Sequence, residues 1–247
     1  MKNDYSFDGL AGKFSKNIYG TTKGRLRHAL LLNAMNDWLP ATGSPIIELG
    51  SGTGEMALSL SERGYAMTLT DPSTDVLSQA ASLLSAYPAT QFIQKPLQQL
   101  SSIGDYSFIV CHAVLEWLVA PMEALSYIYE KMQSGSTLSL SFFNRDAALF
   151  NNAVYGNFDY IARDMKVKKQ VRLNPKQPLS PPMVIEHCKQ TGFTICAMTG
   201  IRCFHDYIRD REMQNSHFED ILALEKQYGS QEPFCRLGRY FHLILKK

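Results

Sequence analysis

The sequence predicts an α/β fold: a doubly wound, mostly parallel, seven-stranded sheet of the Rossmann-like type, formed as one domain over residues 1–247. From residue 45 onward, short apolar runs alternate with stretches of helical periodicity, as in parallel sheets covered by helices. The first run enters a glycine-rich turn and the second ends on an acid, which is typical of the ligand-binding edge of open sheets. With 45% hydrophobic and 19% charged residues, the chain fits one sizeable globular domain.

The strands are predicted from apolar runs of four to ten residues that are bounded by turn-forming residues. The first five are separated by helical segments, so they are expected to run parallel. The predicted strands cover residues 45–49, 66–70, 91–94, 108–111, 137–143, 194–202 and 236–245.

Helices fill the intervals between these strands. Ser73 is a suitable N-cap, and Pro121 suits an early helical position, with Ser134 and Gly135 ending that helix. The predicted helices cover residues 26–39, 73–87, 121–132, 183–191 and 218–228.

Two further segments are predicted to cover the carboxyl ends of the strands. Residues 1–40 form an N-terminal lead-in whose helix is expected to fold over a bound cofactor. After Phe143 no clear helix is predicted for roughly 35 residues, and loops of that length usually act as lids. Residues 144–182 are therefore predicted to be an irregular cap insertion that contacts the substrate.

The glycine-rich turn has the pattern G-x-G-x-G, in which Gly50 and Gly52 follow Glu48, and Asp71 ends the next strand. A dinucleotide turn requires a third glycine where Glu55 stands. An acid at the strand end would repel a pyrophosphate but suits the cationic end of S-adenosylmethionine, while Asp71 is placed to accept hydrogen bonds from ribose hydroxyls. The turn indicates an S-adenosylmethionine site; the alternative is a tight turn without a ligand.

Composition excludes several other classes of protein. No run reaches the roughly 18 apolar residues of a membrane span, and the N-terminus lacks an apolar signal core, so a cytoplasmic location is expected. The five cysteines are scattered without a C-x-x-C pair, which argues against a disulfide framework and a zinc site. No metal is expected.

The residues after the fourth strand narrow the chemistry of the methyl acceptor. Amine methyltransferases commonly have Asn or Asp before Pro-Pro and an aromatic residue here, whereas this chain has HAVL at 112–115. Carbon-5 pyrimidine methylation needs a cysteine nucleophile, but Cys111 and Cys235 lack the expected Pro-Cys context. No cluster of acids supports metal-assisted O-methylation. A carboxylate, which is ionised at neutral pH without a general base, remains.

A carboxylate substrate requires side chains that hold it in place without neutralising its negative charge. Candidates near the sheet edge are Arg202, His205 and Arg239, with Tyr19 from the lead-in. His112, at the end of the fourth strand, is interpreted as contacting the cofactor or the methyl group, although a histidine that caps the next helix fits as well. Each anchor taken alone also fits a solvated or paired side chain.

A strongly basic segment lies within the predicted cap. Residues 163–176 contain six Lys and Arg against one acid, a net charge of +5 in a chain whose net charge is +2. Lys168, Lys169 and Arg172 are candidate phosphate contacts, and Tyr155, Phe158 and Tyr160 nearby offer faces on which unpaired bases could stack. The alternative is a solvated loop.

Several short sequence strings are more specific than the features that methyltransferases share in general. They are FSKNIYGTTKGRLR at 14–27, HAVLEW at 112–117, GNFDY at 156–160, FHDY at 204–207, QEP at 231–233 and LGRY at 237–240. In these strings the chain resembles the bacterial tRNA 5-carboxymethoxyuridine methyltransferases, in the same order and from about residue 5 to 245. The resemblance implies the class I methyltransferase fold.

The resemblance also implies transfer of a methyl group from S-adenosylmethionine to the carboxylate of 5-carboxymethoxyuridine at tRNA position 34, giving a methyl ester. The partner would be the anticodon stem-loop of tRNA. A small-molecule carboxyl or O-methyltransferase, and a non-catalytic module that binds S-adenosylmethionine or RNA, stay open as alternatives. By similarity, the cofactor contacts fall on Arg27, Gly50, Ser51, Asp71, Leu97, Gln98 and His112.

Overall fold

The computed structural model describes residue 4 and residues 20–101, 103–165 and 177–247. Seven strands form one sheet in the order β3-β2-β1-β4-β5-β7-β6, in which β7 is antiparallel to both of its neighbours and the other pairs are parallel. The predicted fold class is confirmed. The strands are β1 (Pro45–Leu49), β2 (Ala66–Thr70), β3 (Gln91–Ile93), β4 (Phe108–His112), β5 (Thr137–Phe143), β6 (Thr194–Ile201) and β7 (Tyr240–Lys246).

The strand order places a topological switch point between β1 and β4. The chain proceeds outward from β1 to β2 and β3, and then returns to add β4 on the other side of β1. Crossover connections on the two sides of such a point diverge, which opens a crevice at the carboxyl ends of the strands. Both the glycine-rich turn after β1 and His112 at the end of β4 lie at this crevice.

Helices cover both faces of the sheet, and short 3₁₀ turns connect several elements. Helix α1 begins four residues earlier than predicted because the side chain of Thr21 accepts a hydrogen bond from the Gly24 N–H at 3.1 Å and caps the helix. The helices are α1 (Thr22–Met35), α2 (Glu55–Ser61), α3 (Thr74–Leu83), α4 (Pro121–Lys131), α5 (Arg145–Val154), α6 (Phe158–Ala162), α7 (Pro181–Thr191), α8 (Arg211–Ser216) and α9 (Phe218–Tyr228).

The core consists of two clusters, one on each face of the sheet. On one face, α1 buries Leu26 and Met35 against β1, β2 and β4. On the other face, α4 and α7 bury Leu125 and Val184 against β4, β5 and β7. Each fully buried leucine contributes about 1.5–3 kcal/mol, so the two clusters hold the strand ends, and hence the crevice, in fixed positions.

The prediction of an irregular segment after β5 was wrong for the described part of residues 144–182, because α5 and α6 form there. The side chain of Asn144 caps α5 by accepting hydrogen bonds from the N–H groups of Asp146 and Ala147. The same side chain donates to the carbonyl groups of Arg236 and Gly238, which fastens the helix to the turn before β7.

Among the described helices, none is both long and apolar enough to cross a membrane.

Candidate active site

A cavity of about 710 Å³ opens at the carboxyl ends of the strands, beside the switch point. Its wall combines the glycine-rich turn, the ends of β2, β4 and β5, the first turns of α1 and the start of β7. Most of the residues predicted for the site from sequence lie on this wall: Arg27, Glu48, Gly50, Ser51, Gly52, Asp71, Leu97, Gln98, His112, Arg202 and Arg239.

The glycine-rich turn requires backbone conformations that other residues rarely adopt. Gly50 and Gly52 have φ angles of +64° and +58°. A Cβ atom on Gly50 would lie 2.6 Å from Cγ2 of Val114, so this position excludes a side chain on packing grounds as well. The backbone of Ser51 is fixed by its N–H, which donates to the carbonyl of Thr70 at 2.9 Å.

Asp71 ties this turn to the end of β2. Its carboxylate accepts hydrogen bonds from the Gly52 N–H at 3.2 Å and the Ser73 N–H at 2.9 Å. The carboxylate therefore sets the shape of the turn while it lies on the cavity wall.

Glu48 is a buried acid on the floor of the cavity. Burial, together with repulsion from Glu55, raises its pKa to about 8, although the backbone N–H of Ala57 acts in the opposite direction. Its Oε2 atom has no hydrogen-bond partner among the described residues. A buried carboxyl group with an unsatisfied oxygen is suited to a cationic ligand, which would stabilise its ionised form.

The N-terminal part of the chain contributes to the cavity wall at two described places, Asp4 and helix α1. The carboxylate of Asp4 accepts hydrogen bonds from the side chain of Gln98 at 3.0 Å and from the Val119 N–H at 2.7 Å. In α1, the guanidinium of Arg27 lies 5.2 Å from the ring centre of Tyr240 and donates to its hydroxyl at 3.4 Å. Leu97 and Gln98 lie in a 3₁₀ turn that follows Pro96.

The arginine clamp, which we define as Arg202, Arg239 and Asp206, forms the wall nearest β6 and β7. Nη2 of Arg202 lies 2.6 Å from Oδ2 of Asp206, and Nε of Arg239 lies 3.8 Å from the same oxygen. Burial alone would raise the pKa of Asp206, but Arg202 and a hydrogen bond from His205 outweigh it and hold that pKa well below its usual range. One ionised carboxylate therefore faces two guanidinium groups.

The positive charge of the clamp exceeds what Asp206 neutralises. Burial lowers the pKa of Arg239 and outweighs the opposing attraction of Asp206, and repulsion from Arg202 lowers this pKa further. Nε of Arg202 is buried and has no hydrogen-bond partner within the described ranges. A second anion placed between the two arginines would satisfy this donor and balance the charge.

A second acid, Glu225 of α9, organises the backbone that carries the clamp. Its carboxylate accepts hydrogen bonds from the N–H groups of Cys203, Phe204 and His205 at 2.6–2.9 Å. These bonds hold the turn in which Arg202 adopts a φ of +65°, a conformation that costs about 1–3 kcal/mol for a residue other than glycine.

The structure does not place His205 on the cavity wall. Its side chain is fully buried, and its Nδ1 lies 3.0 Å from Oδ1 of Asp206, so its contact is with the clamp. Sequence reasoning placed this residue near the sheet edge but could not show that the carboxylate of Asp206 would lie between it and the cavity.

Glu116 and Asp206 line the cavity but were not assigned to the site from sequence. Glu116 is fully buried, and neither carboxyl oxygen has a hydrogen-bond partner in the part of the chain that the structure describes. Burial raises its pKa to about 7 against the opposing effects of nearby backbone N–H groups and Arg27. Both acids fall in the strings HAVLEW and FHDY, which were the available signal.

An aromatic face adjoins the clamp on its outer side; it consists of Phe150, Tyr155 and Phe158, whose exposed fractions are 44%, 46% and 67%. The hydroxyl of Tyr155 donates to the carbonyl of Asp206 at 3.4 Å, which makes this face continuous with the clamp. Arg209 lies 5.6 Å from the ring centre of Tyr155. The face therefore combines exposed rings with positive charge.

Four candidate substrate contacts, Tyr19, Lys168, Lys169 and Arg172, lie outside the described residues. Within the described ranges, no group of three or more His, Cys, Asp and Glu side chains could hold a metal ion.

Comparison with known proteins identifies the family. A family model for a methyltransferase domain matches residues 21–198. The tRNA 5-carboxymethoxyuridine methyltransferase of Escherichia coli strain K12 is 38% identical over 252 aligned positions, covering 99% of this chain and 97% of the relative.

Solved structures agree on the fold. The magnesium protoporphyrin IX methyltransferase of Synechocystis PCC 6803, solved with bound SAH, has a TM-score of 0.67 at 15% identity and covers 98% of this chain and 96% of its own. An S-adenosylmethionine-dependent methyltransferase from Mesorhizobium loti has a TM-score of 0.59 at 13% identity, covering 93% and 100%. The chain therefore belongs to the class I S-adenosylmethionine-dependent methyltransferases, in the family of the tRNA 5-carboxymethoxyuridine methyltransferase.

Proposed function

We propose that this enzyme transfers the methyl group of S-adenosylmethionine to the carboxylate of 5-carboxymethoxyuridine at position 34 of tRNA, forming the methyl ester. The observation that carries the proposal is the arginine clamp: two guanidinium groups share one carboxylate on the cavity wall, and a buried donor, Nε of Arg202, is unsatisfied. The relative from Escherichia coli bears the name of this activity.

The residues of the cavity floor fit the cofactor. The unsatisfied Oε2 of Glu48 suits a positively charged group, and the turn at Gly50 and Gly52 presents backbone rather than side chains. We assign Arg27 to the cofactor carboxylate and Asp71 to its ribose, with Leu97 and Gln98 beside the adenine. The bound cofactor supplies an electrophilic methyl group on a sulfonium.

Catalysis in this proposal is mostly alignment and removal of water. A carboxylate is already nucleophilic at neutral pH, so no general base is needed. The clamp would hold one carboxylate oxygen through Arg202 and Arg239 and leave the other directed at the methyl group. Because Asp206 keeps part of the positive charge neutralised, the substrate carboxylate is oriented without losing all of its nucleophilicity.

We place the tRNA on the aromatic face and the basic segment. Exposed aromatic rings next to an anion site are suited to unpaired bases, which stack on such rings in RNA recognition. The nucleotides of the anticodon loop are unpaired, so the substrate base could leave the loop and enter the cavity. The lead-in of residues 1–40 would cover the cofactor, and residues 144–182 would contact the RNA.

The clamp is tested by Arg239→Gln, with Arg236→Gln as the matched control. Arg236 is a neighbouring arginine that pairs with Glu232 on the surface and does not line the cavity. Losing a charged hydrogen bond to the substrate should lower kcat/KM for tRNA by about 30- to 100-fold, with the Kd for the cofactor changed by less than about twofold. A kcat/KM equal to that of the control variant would remove Arg239 from the site.

A salt titration separates this proposal from the small-molecule alternative. Binding of hypomodified tRNA in a gel shift should weaken steeply between 50 and 200 mM salt, since phosphate contacts release counterions. Absence of any complex at low salt would favour a small-molecule carboxyl or O-methyltransferase.

A further inference from the structure

Two histidines share one serine hydroxyl beneath the cavity. Nε2 of His112 lies 2.8 Å from Oγ of Ser139, and the same oxygen lies 2.8 Å from Nε2 of His242. Ser139 and His242 are fully buried, whereas His112 reaches the cavity wall. A chain of hydrogen bonds therefore runs from β7 through β5 to the residue at the end of β4.

The two histidines are both neutral at physiological pH. Burial lowers the pKa of His242 to about 3. The pKa of His112 is also well below its usual value, because of burial and the neighbouring His242, Arg27 and His28. A neutral imidazole carries its proton on one nitrogen only, so the position of that proton follows from the hydrogen bonds of the other nitrogen.

A single hydroxyl can donate only one hydrogen bond, so the chain has a direction. If His112 donated to Ser139 and Ser139 donated to His242, the proton on Nδ1 of His242 would be buried with no acceptor among the described residues. In the opposite direction, His242 donates to Ser139 and Ser139 donates to His112, so that the proton lies on Nδ1 of His112, which is likewise buried with no acceptor among the described residues. Each direction thus leaves one Nδ1 donor without a described acceptor. His112 lines the cavity and His242 does not, so a bound ligand can accept from this donor only in the second direction, which is therefore favoured because buried donors are rarely left without an acceptor.

A third pattern of hydrogen bonds around Ser139 is less favourable than these two. Both histidines could donate to Ser139 if its hydroxyl donated to the sulfur of Met35, but that contact is 4.0 Å long. A hydroxyl donates far more strongly to an imidazole nitrogen at 2.8 Å than to a thioether at this distance.

We propose that Ser139 and His242 are positioning residues that fix His112 in its Nδ1-protonated form, so that His112 donates a hydrogen bond to the cofactor carboxylate. Arg27 and His28 of α1 lie close enough to His112 to influence it electrostatically. A second donor beside Arg27 suits an anionic acceptor, and the carboxylate is the anionic group of S-adenosylmethionine. The inference does not depend on the identity of the methyl acceptor.

The direct test is nitrogen-15 NMR of the histidine rings in the full chain, in which protonated and bare ring nitrogens have well-separated shifts. The spectra are recorded at pH 7 with and without S-adenosylhomocysteine, and the His112 signals are assigned by their loss in His112→Gln. We expect a protonated Nδ1 and a bare Nε2, with the Nδ1 signal shifted by the ligand. A protonated Nε2 on His112, or an Nδ1 chemical shift that does not change when the ligand binds, would overturn the proposal.

A pair of variants tests the positioning role. Ser139→Ala breaks the chain, while Ser141→Ala removes a buried hydroxyl on the same strand that has no partner within the described ranges. By calorimetry, Ser139→Ala should raise the Kd for S-adenosylhomocysteine about five- to tenfold and allow the other tautomer of His112. Equal Kd values and unchanged ring shifts in the two variants would contradict the proposal. Thermal unfolding of both variants confirms that they are folded.

Discussion

Binding of the cofactor should release a proton from Glu48, and Glu48→Gln should abolish that release. The pKa of Glu48 in the free protein is raised to about 8, mainly by burial. At pH 7 its carboxyl group is therefore about 90% protonated. The sulfonium and ammonium groups of S-adenosylmethionine stabilise the ionised form, so about 0.9 proton should leave Glu48 for each cofactor bound.

The same linkage sets the pH dependence of affinity. If the cofactor binds the ionised form, the Kd rises as the protonated fraction grows, and it should be about fifty times larger at pH 6 than at pH 8. The Glu48→Gln variant lacks this titration. The difference between the two proteins therefore isolates Glu48 from the titration of the cofactor's own amino group.

Isothermal titration calorimetry at pH 7, in two buffers with different ionisation enthalpies, measures the number of protons released. The expected result is a difference of about 0.9 proton between wild type and Glu48→Gln. If both proteins release the same number, Glu48 does not sense the charge of the cofactor and the interpretation of the cavity floor is wrong.

Three further predictions concern stability and the glycine-rich turn. Glu116→Met should raise the free energy of unfolding, measured in urea, by about 1–3 kcal/mol at pH 8 and by less at pH 5. The reason is that a carboxyl group whose pKa in the folded state is raised to about 7 destabilises the fold once the pH exceeds the pKa of the same group in the unfolded chain. A gain in stability that does not depend on pH would contradict this. Glu225→Gln should lower the free energy of unfolding by about 2–4 kcal/mol, since three N–H groups lose a charged acceptor, and a variant as stable as wild type would refute that role. Gly50→Ala should weaken cofactor binding in calorimetry, and Val114→Ala in the same chain should restore part of the affinity, because the added Cβ would lie 2.6 Å from Val114; a double variant no better than Gly50→Ala would exclude this clash.

The strands and the glycine-rich turn could be predicted because their signals are local. An apolar run that ends on Glu48 and enters Gly50 specifies both the strand and its turn within six residues. The acid at Asp71 follows from the same reasoning one strand later. All seven strands were identified, and the errors lie at their ends, as where residues 234–237 form a 3₁₀ turn before β7.

The remaining features depend on tertiary contacts that a sequence pattern does not contain. Helix α5 buries only two small side chains, Ala147 and Ala148, and Asn144 fastens it to the turn before β7 through contacts that the sequence does not show. The clamp depends on the packing of α9, which places Glu225 beneath the turn of Arg202. Glu116 is fully buried, and the lack of partners for its carboxyl oxygens among the described residues is visible only in three dimensions.

Mass spectrometry of nucleosides tests most directly whether the clamp and the cavity floor act together to methylate a tRNA carboxylate. The purified full chain is incubated with S-adenosylmethionine and with tRNA that carries 5-carboxymethoxyuridine, and the tRNA is then digested to nucleosides. We predict that 5-carboxymethoxyuridine is consumed and that its methyl ester appears in equal amount, with Arg239→Gln strongly slowed. An unchanged nucleoside profile, from an enzyme that binds the cofactor, would contradict the account.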